Sequence, residues 1–290
     1  MKPMLLVLLV LLLSLSACGA SLPSWQGSAG LADPHLGQVW VTAEQRWITP
    51  QALVERLAPA PYVVVGEQHD NPDHHALQLW LLQRLQAARP QRSLLLEMLQ
   101  PAQQARVAAL KGTSLPGDAA LQEQLDWQPG WDWAMYGPLV RWGLDVPAQL
   151  LAANLDGDTM MALYRRPPPL SPRYSAEALR RLRGTIEASH CGRIDEQQVT
   201  AMLAIQQARD QAMAAALANA PTPALLLAGN YHARRDLGMP VHWPQASAAP
   251  VIVQLQGVSA GALPGAQQTD YLWLTPATPE RDYCADWESD

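Results

Sequence analysis

The chain has 290 residues, with 20 Lys and Arg against 26 Asp and Glu and a formal net charge of −6. That balance argues against a nucleic-acid partner, which requires a basic face. Hydrophobic residues make up 49% of the chain, enough to build the core of one large domain or two small ones.

In chain order, Lys2 precedes a leucine- and valine-rich run over residues 4–15. One positive charge ahead of a short apolar run is the layout of a secretory signal. The run of about 12 residues is too short to span a bilayer, which takes about 20. Leu15-Ser16-Ala17-Cys18 resembles the lipobox of bacterial lipoproteins. Residues 1–17 are therefore expected to be a cleaved signal, and Cys18 to carry the lipid that anchors the protein to a membrane. Gly19 follows, not the Asp of an inner-membrane retention signal, so the expected location is the outer membrane, facing the periplasm. Residues 18–37, rich in Gly, Ser, Pro and Ala, read as a flexible tether reaching roughly 25 Å. In that oxidising compartment Cys191 and Cys284 are expected to pair as a disulfide. Two free thiols, or a zinc site with the adjacent His190, are the alternatives.

Residues 38–42 and 46–49 flank a short polar turn and predict a small hairpin. Thr49 then Pro50 is an N-cap followed by proline at the first helical position, opening a helix through Leu57. From there apolar strands alternate with helices. Strands are expected at 62–66, 93–97, 149–153, 224–228, 251–255 and 271–274. Helices are expected from Asn71-Pro72, with Leu77, Leu81, Leu82 and Leu85 as apolar positions, and over 101–110. After the proline break at 167–172, residues 175–187 and 196–220 read as helices. The pattern predicts an α/β fold: a mostly parallel sheet with helices on both faces, filling residues 38–290. A helical insert at about 156–220 is expected to cap the ligand edge.

Polar residues cluster where strands end. The first long strand runs into Gly66-Glu67-Gln68-His69-Asp70, and the next helix opens with Asp73-His74-His75. Glu97 ends the second, Asn154 follows the third, and Gly229-Asn230-Tyr231-His232 follows the fourth. In a parallel sheet these ends share the edge at which open α/β sheets bind ligands. Each residue alone has a structural alternative: Glu97 as a helix cap or an arginine partner, Asp73 as a helix-dipole residue, Asn230 as a turn residue. His74 and His75 point about 100° apart, so only one of them is expected to face the site. Together the set suits a divalent metal, acid–base chemistry, or the grip of carboxylates such as haem propionates.

The stretch from Gly66 to His75 closely resembles the signature of the ChaN-like iron-regulated lipoproteins, a family grouped with the Tiki metalloproteases and erythromycin esterases. Further resemblances run along the chain: Trp131-Asp132-Trp133 with Tyr136; Ala152-Ala153-Asn154-Leu155; Ser189-His190-Cys191; Gln206 with Ala208-Arg209-Asp210; Ala228-Gly229-Asn230-Tyr231-His232; Asp270-Tyr271 with Trp273; and Cys284-Ala285. Tyr231 departs from the pattern, because the family usually has glycine there.

The resemblance implies haem binding in iron acquisition. A member of the family holds two cofacial haems in a dimer, each iron bound by a tyrosine, with a partner histidine reaching the propionates. The implied partners are thus haem, a second copy of the chain, and a haem-uptake receptor or transporter. Tyr136, Tyr164, Tyr174 and Tyr231 are the candidate iron ligands. Glu67, His69, His74, His75, Glu97, Asn154, His190, Arg209, Asn230 and His232 are the candidate ligand-site residues. The alternative is a metal-dependent hydrolase like those of the Tiki branch, in which Glu67, His69, His190 and His232 would hold metal or activate water.

Overall fold

The computed structural model describes residues 21–258, 262–279 and 284–285. The signal segment and Cys18 lie outside the described residues. Eight strands form one sheet in the order β2-β1-β8-β7-β3-β6-β4-β5. They are β1 (Val39–Val41), β2 (Arg46–Ile48), β3 (Tyr62–Glu67), β4 (Ser93–Leu96), β5 (Gln149–Ala152), β6 (Ala224–Gly229), β7 (Val251–Gly257) and β8 (Tyr271–Thr275). The six strands from β8 to β5 are parallel, and the β1–β2 hairpin adds to β8 antiparallel. Strands so nearly continuous in apolar residues need cover on both faces, and each face has a helical layer.

One layer holds α1 (Pro50–Leu57), α2 (Pro72–Ala88), α3 (Gln104–Leu110), α4 (Asp118–Leu125) and α5 (Trp133–Asp145). Thr49 caps α1, its side chain accepting from the Ala52 N–H at 3.2 Å. Asn71 caps α2, accepting from the Asp73 N–H at 3.0 Å. The expected apolar positions Leu77, Leu81, Leu82 and Leu85 all pack into this layer with Val63, Val65, Leu94, Leu225 and Val253 of the sheet. Pro101–Gln103, expected as the first turn of a helix, is a 3-10 turn ahead of α3. The helices α4 and α5 have no counterpart among the sequence expectations. Helix α5 contains Gly137, Pro138 and Gly143, and it holds because Leu139, Val140 and Leu144 are fully buried.

The opposite layer comes from the insert between β5 and β6: α6 (Gly157–Arg165), α7 (Ala176–Ser189) and α8 (Glu196–Asn219), with the short α9 (Asn230–Ala233). Ser175 caps α7, and Asp195 with Gln198 forms a reciprocal capping box on α8. Met213, Ala214 and Leu217 of α8 cover Val64, Leu95, Leu226 and Ile252. Helix α7 packs on α8 through Leu182, Val199 and Leu203. The Cys191–Cys284 disulfide forms, with Cα atoms 5.7 Å apart, and ties the C-terminal segment to the end of α7. No helix among the described residues is long and apolar enough to cross a membrane.

Residues 21–37, expected as part of a flexible tether, are instead fastened to the domain. The Gln26 and Gly27 N–H groups donate to the Asp73 carboxylate at 2.7 and 2.8 Å. Trp80 Nε1 donates to the Ser21 carbonyl at 3.1 Å, and Ala29 bridges Ala277. Leu22 and Trp25 pack against the core. Composition suggested a linker, but these backbone groups find fixed partners, and two large apolar side chains have a surface to bury.

Edge strand β5 has its free side blocked. Gln104 Nε2 donates to the Leu150 carbonyl at 3.0 Å, and Gln104 Oε1 accepts from the Ala152 N–H at 2.8 Å. One amide thus replaces a neighbouring strand, a protection that open edges need against other chains. Gln104→Ala should cost about 1 kcal/mol in urea unfolding, and light scattering on warming should show earlier aggregation than in the parent protein.

Candidate functional site

Parallel register sets the site. Glu67 pairs with Gly229 across β3 and β6, and Leu96, the last residue of β4, pairs with Leu227. Glu67 and Glu97 therefore stand on either side of Gly229, at the C-terminal ends of adjacent strands. Both are 1% exposed. A Cβ on Gly229 would lie 2.8 Å from His69 Nε2, so only glycine lets that ring cross the strand end.

Glu97 is held from several elements. Its Oε2 accepts from the Gly229 N–H at 2.7 Å, and its Oε1 accepts from Arg209 Nη2 of α8. His232 Nε2 lies 3.4 Å from Oε1. Burial disfavours the charged carboxylate, but His232, Arg209 and His69, together with the Gly229 N–H, outweigh it and hold Glu97 down at about 2. Asn154 completes the bracket: its Nδ2 donates to the Glu97 carbonyl at 2.8 Å, and its Oδ1 accepts from Arg209 Nε at 3.0 Å. On the other side, His232 Nδ1 donates to Asp210 Oδ1 at 2.7 Å. Burial pushes Asp210 up to about 6 against the opposing pull of His232 and Arg209.

A second cluster surrounds Glu67. His69 Nδ1 donates to Glu67 Oε1 at 2.6 Å, and the Tyr136 hydroxyl donates to the same oxygen at 3.0 Å. Glu67 Oε2 is buried with no hydrogen-bond partner. His75 Nε2 lies 3.9 Å from it. Burial opposes a charge on His69, but the hydrogen bond and charge of Glu67, with Glu97 behind it, push it up to about 9. Burial and the same carboxylates raise Tyr136 far above the usual phenol range. Trp131 meets the His69 ring edge-on at 5.0 Å.

Of the expected histidines, His69 and His232 reach the site. Neither His74 nor His75 lines it, contrary to the expectation that one would. Both are buried. His74 Nδ1 accepts from the Gln68 N–H at 2.9 Å and Nε2 donates to Thr275 Oγ1 at 2.9 Å, and burial holds it well below the ordinary histidine value. His75 Nε2 donates to the His69 carbonyl at 3.1 Å, and the ring meets Tyr136 edge-on. His190 sits at the C-terminal end of α7, where Nδ1 donates to the Ile186 carbonyl at 2.8 Å. The set Glu67, His69, His190 and His232 is not gathered. Among the described residues, no group of three or more His, Cys, Asp or Glu side chains is able to hold a metal ion.

Above the strand ends lies an open cleft of about 450 Å³. Its floor includes Glu67, His69, Asn230 and His232. Leu182, Thr185, Ile186 and Ser189 of α7 form the opposite wall, with Gln206 of α8. The insert thus covers the ligand edge as expected. Among the candidate tyrosines, Tyr231 lines the cleft and is 46% exposed. Tyr136 lies beneath the floor. Tyr174 is buried, its hydroxyl 3.0 Å from His242 Nε2, and burial raises it above the phenol range. Tyr164 is on α6 and does not line the cleft. Sequence reasoning did not place Asp210 or Gln206 in the site. Their i, i+4 spacing on a helix that also carries Arg209 puts them on one face, and that was the available signal.

A family model described as "Haem-binding uptake, Tiki superfamily, ChaN" matches residues 53–242. A solved structure described as cofacial haem binding to ChaN of Campylobacter jejuni is 26% identical, with a TM-score of 0.73, covering 81% of this chain and 95% of that one. A mutant erythromycin esterase in its open conformation is 13% identical, with a TM-score of 0.45, covering 87% and 86%. No curated protein sequence matches significantly.

Two outcomes follow from the charge pattern. The His69 pKa is raised on folding, so its stabilising effect is complete below about 6.5 and is lost as pH rises through about 9. In Glu67→Gln the offset to burial disappears, and NMR titration of the His69 ring should give a value below 6.5, not near 9. The Glu97 pKa is depressed, so its contribution is present above about 4.5 and is lost as pH falls through about 2. Arg209→Ala leaves that buried charge short of its guanidinium partner. It should lower unfolding stability by about 3 kcal/mol at pH 7 in a urea titration.

Proposed function

The chain belongs to the haem-binding uptake family of the Tiki superfamily, the family of ChaN, and on that premise we propose that it binds haem in its cleft as a lipid-anchored protein of the bacterial cell envelope, in uptake or storage. The observation that carries the proposal is Tyr231, a half-exposed phenol in the cleft opposite the apolar side chains Leu182 and Ile186. Haem presents a flat apolar ring, an iron that needs an axial donor, and two carboxylates. Phenolate oxygen is an established haem-iron ligand, and Tyr231 would supply it. Leu182 and Ile186 would meet the ring. His69, cationic at neutral pH because of Glu67, would face a propionate. The phenol stands where the family usually has glycine, so in this chain the iron donor would come from the start of α9.

Anchoring through Cys18 after removal of residues 1–17 places this cleft in the periplasm, at the outer membrane. Two subunits meeting across their clefts would stack two haems, the cofacial arrangement described for the Campylobacter jejuni protein. A haem-uptake receptor or transporter is the partner this role requires. For the hydrolase alternative, the donor set is not assembled around a divalent metal among the described residues.

Haem titration of the full-chain protein in detergent should give a saturable Soret band with the high-spin pattern of tyrosinate-bound ferric haem. Tyr231→Phe should abolish that pattern and weaken binding at least about tenfold, or ~1.4 kcal/mol. An unchanged spectrum in Tyr231→Phe would remove Tyr231 as the ligand. Uptake no better than nonspecific would sink the haem reading itself.

A further inference from the structure

The N-terminal strap bears on how the domain meets a membrane. Residues 21–29 run along α2 from Trp80 to Asp73, held by the Ser21 and Asp73 hydrogen bonds. Asp73 is 1% exposed, and a Cβ on Gly27 would fall 2.9 Å from its Oδ2 and 2.8 Å from Pro276 Cβ, so the strap is seated in a close-fitting cradle. Leu22 and Trp25 belong to the core cluster of the α1–α5 layer. The cleft sits at the strand ends, and its far wall is formed by α7 and α8 of the other layer.

Cys18 precedes Ser21 by three residues. Three fully extended residues span at most about 11 Å, against roughly 25 Å for a loose tether over 18–37. The chain therefore enters beside Trp80 with almost no slack. Arg84 lies one turn further along the same face of α2. Its Nε is buried without a hydrogen-bond partner, and its guanidinium makes no ion pair among the described residues. A cation at that position suits the phosphate of a lipid headgroup.

We propose that the strap fixes the lipid anchor to the α2 face of the sheet, so that this face lies against the bilayer while the α7–α8 layer, with its wall of the cleft, lies on the side away from it. The inference rests on the anchoring of Cys18 proposed above.

The test uses full-length protein, lipidated in cells and reconstituted into phosphatidylethanolamine–phosphatidylglycerol vesicles with acceptor-labelled headgroups. A donor dye is placed at Gln83→Cys on α2 or at Arg180→Cys on α7, both exposed positions. The two helix layers are about 20 Å apart across the sheet, so transfer from position 83 should exceed that from position 180 by at least about twofold. Gly27→Val, which cannot seat the strap, should reduce the difference. Equal transfer from the two positions, or more from 180, overturns the inference and leaves the anchor standing. Mass spectrometry showing no lipid on Cys18, or Cys18→Ser protein that stays on the vesicles, overturns the anchoring premise and the inference with it.

Discussion

Glu97 is a carboxylate at the end of a four-residue strand, almost wholly out of water. Removing such a charge from solvent costs several kcal/mol unless partners replace the lost hydration. Here the partners come from different parts of the chain: the Gly229 N–H at the end of β6, the guanidinium of Arg209 on α8, and the His232 ring on α9. Asn154, after β5, fixes both the Glu97 backbone and the Arg209 side chain. The need to satisfy one buried charge therefore sets where α8 crosses the sheet edge and how α9 leaves β6. Because α7 packs on α8, the same demand positions the far wall of the cleft.

The segment from Gly66 to His75 divides its work between site and scaffold. Glu67 and His69 line the cleft and form a charged pair supported by Tyr136. Asn71 caps α2, Asp73 holds the strap, and His74 links the turn to the end of β8. His75 supports the His69 backbone from below. A dense run of polar residues thus includes several whose task is to satisfy buried backbone groups, as any tight strand-to-helix turn requires. That packing leaves a cationic His69 at the open surface, since a buried carboxylate is its counter-charge.

The strand–helix alternation, the caps at Thr49 and Asn71, the hairpin and the polar strand ends were legible in the sequence, because each depends on local spacing or on the chemistry of a few neighbouring residues. Parallel strands then oblige those polar ends to share one edge. Local pattern was least informative where long-range packing overrides propensity. Helix α5 carries two glycines and a proline and is stabilised by its buried leucines. The Gly- and Ser-rich strap has linker composition yet is captured by Asp73 and Trp80, 46 and 59 residues away along the chain.

The sequence by itself determined the α/β class, the family resemblance and the identity of the edge that carries Glu67, Glu97, Asn154 and His232. Those follow from periodicities and motifs written along the chain. Only the tertiary structure decided which histidines face the cleft, that from α8 Gln206 lines it and Asp210 backs His232, and that Tyr231 is the exposed phenol among four candidates. Side-chain direction at a strand end depends on what the neighbouring helices leave open. That depends on burial and on charge pairing between residues as far apart as Glu97 and Arg209, 112 positions along the chain.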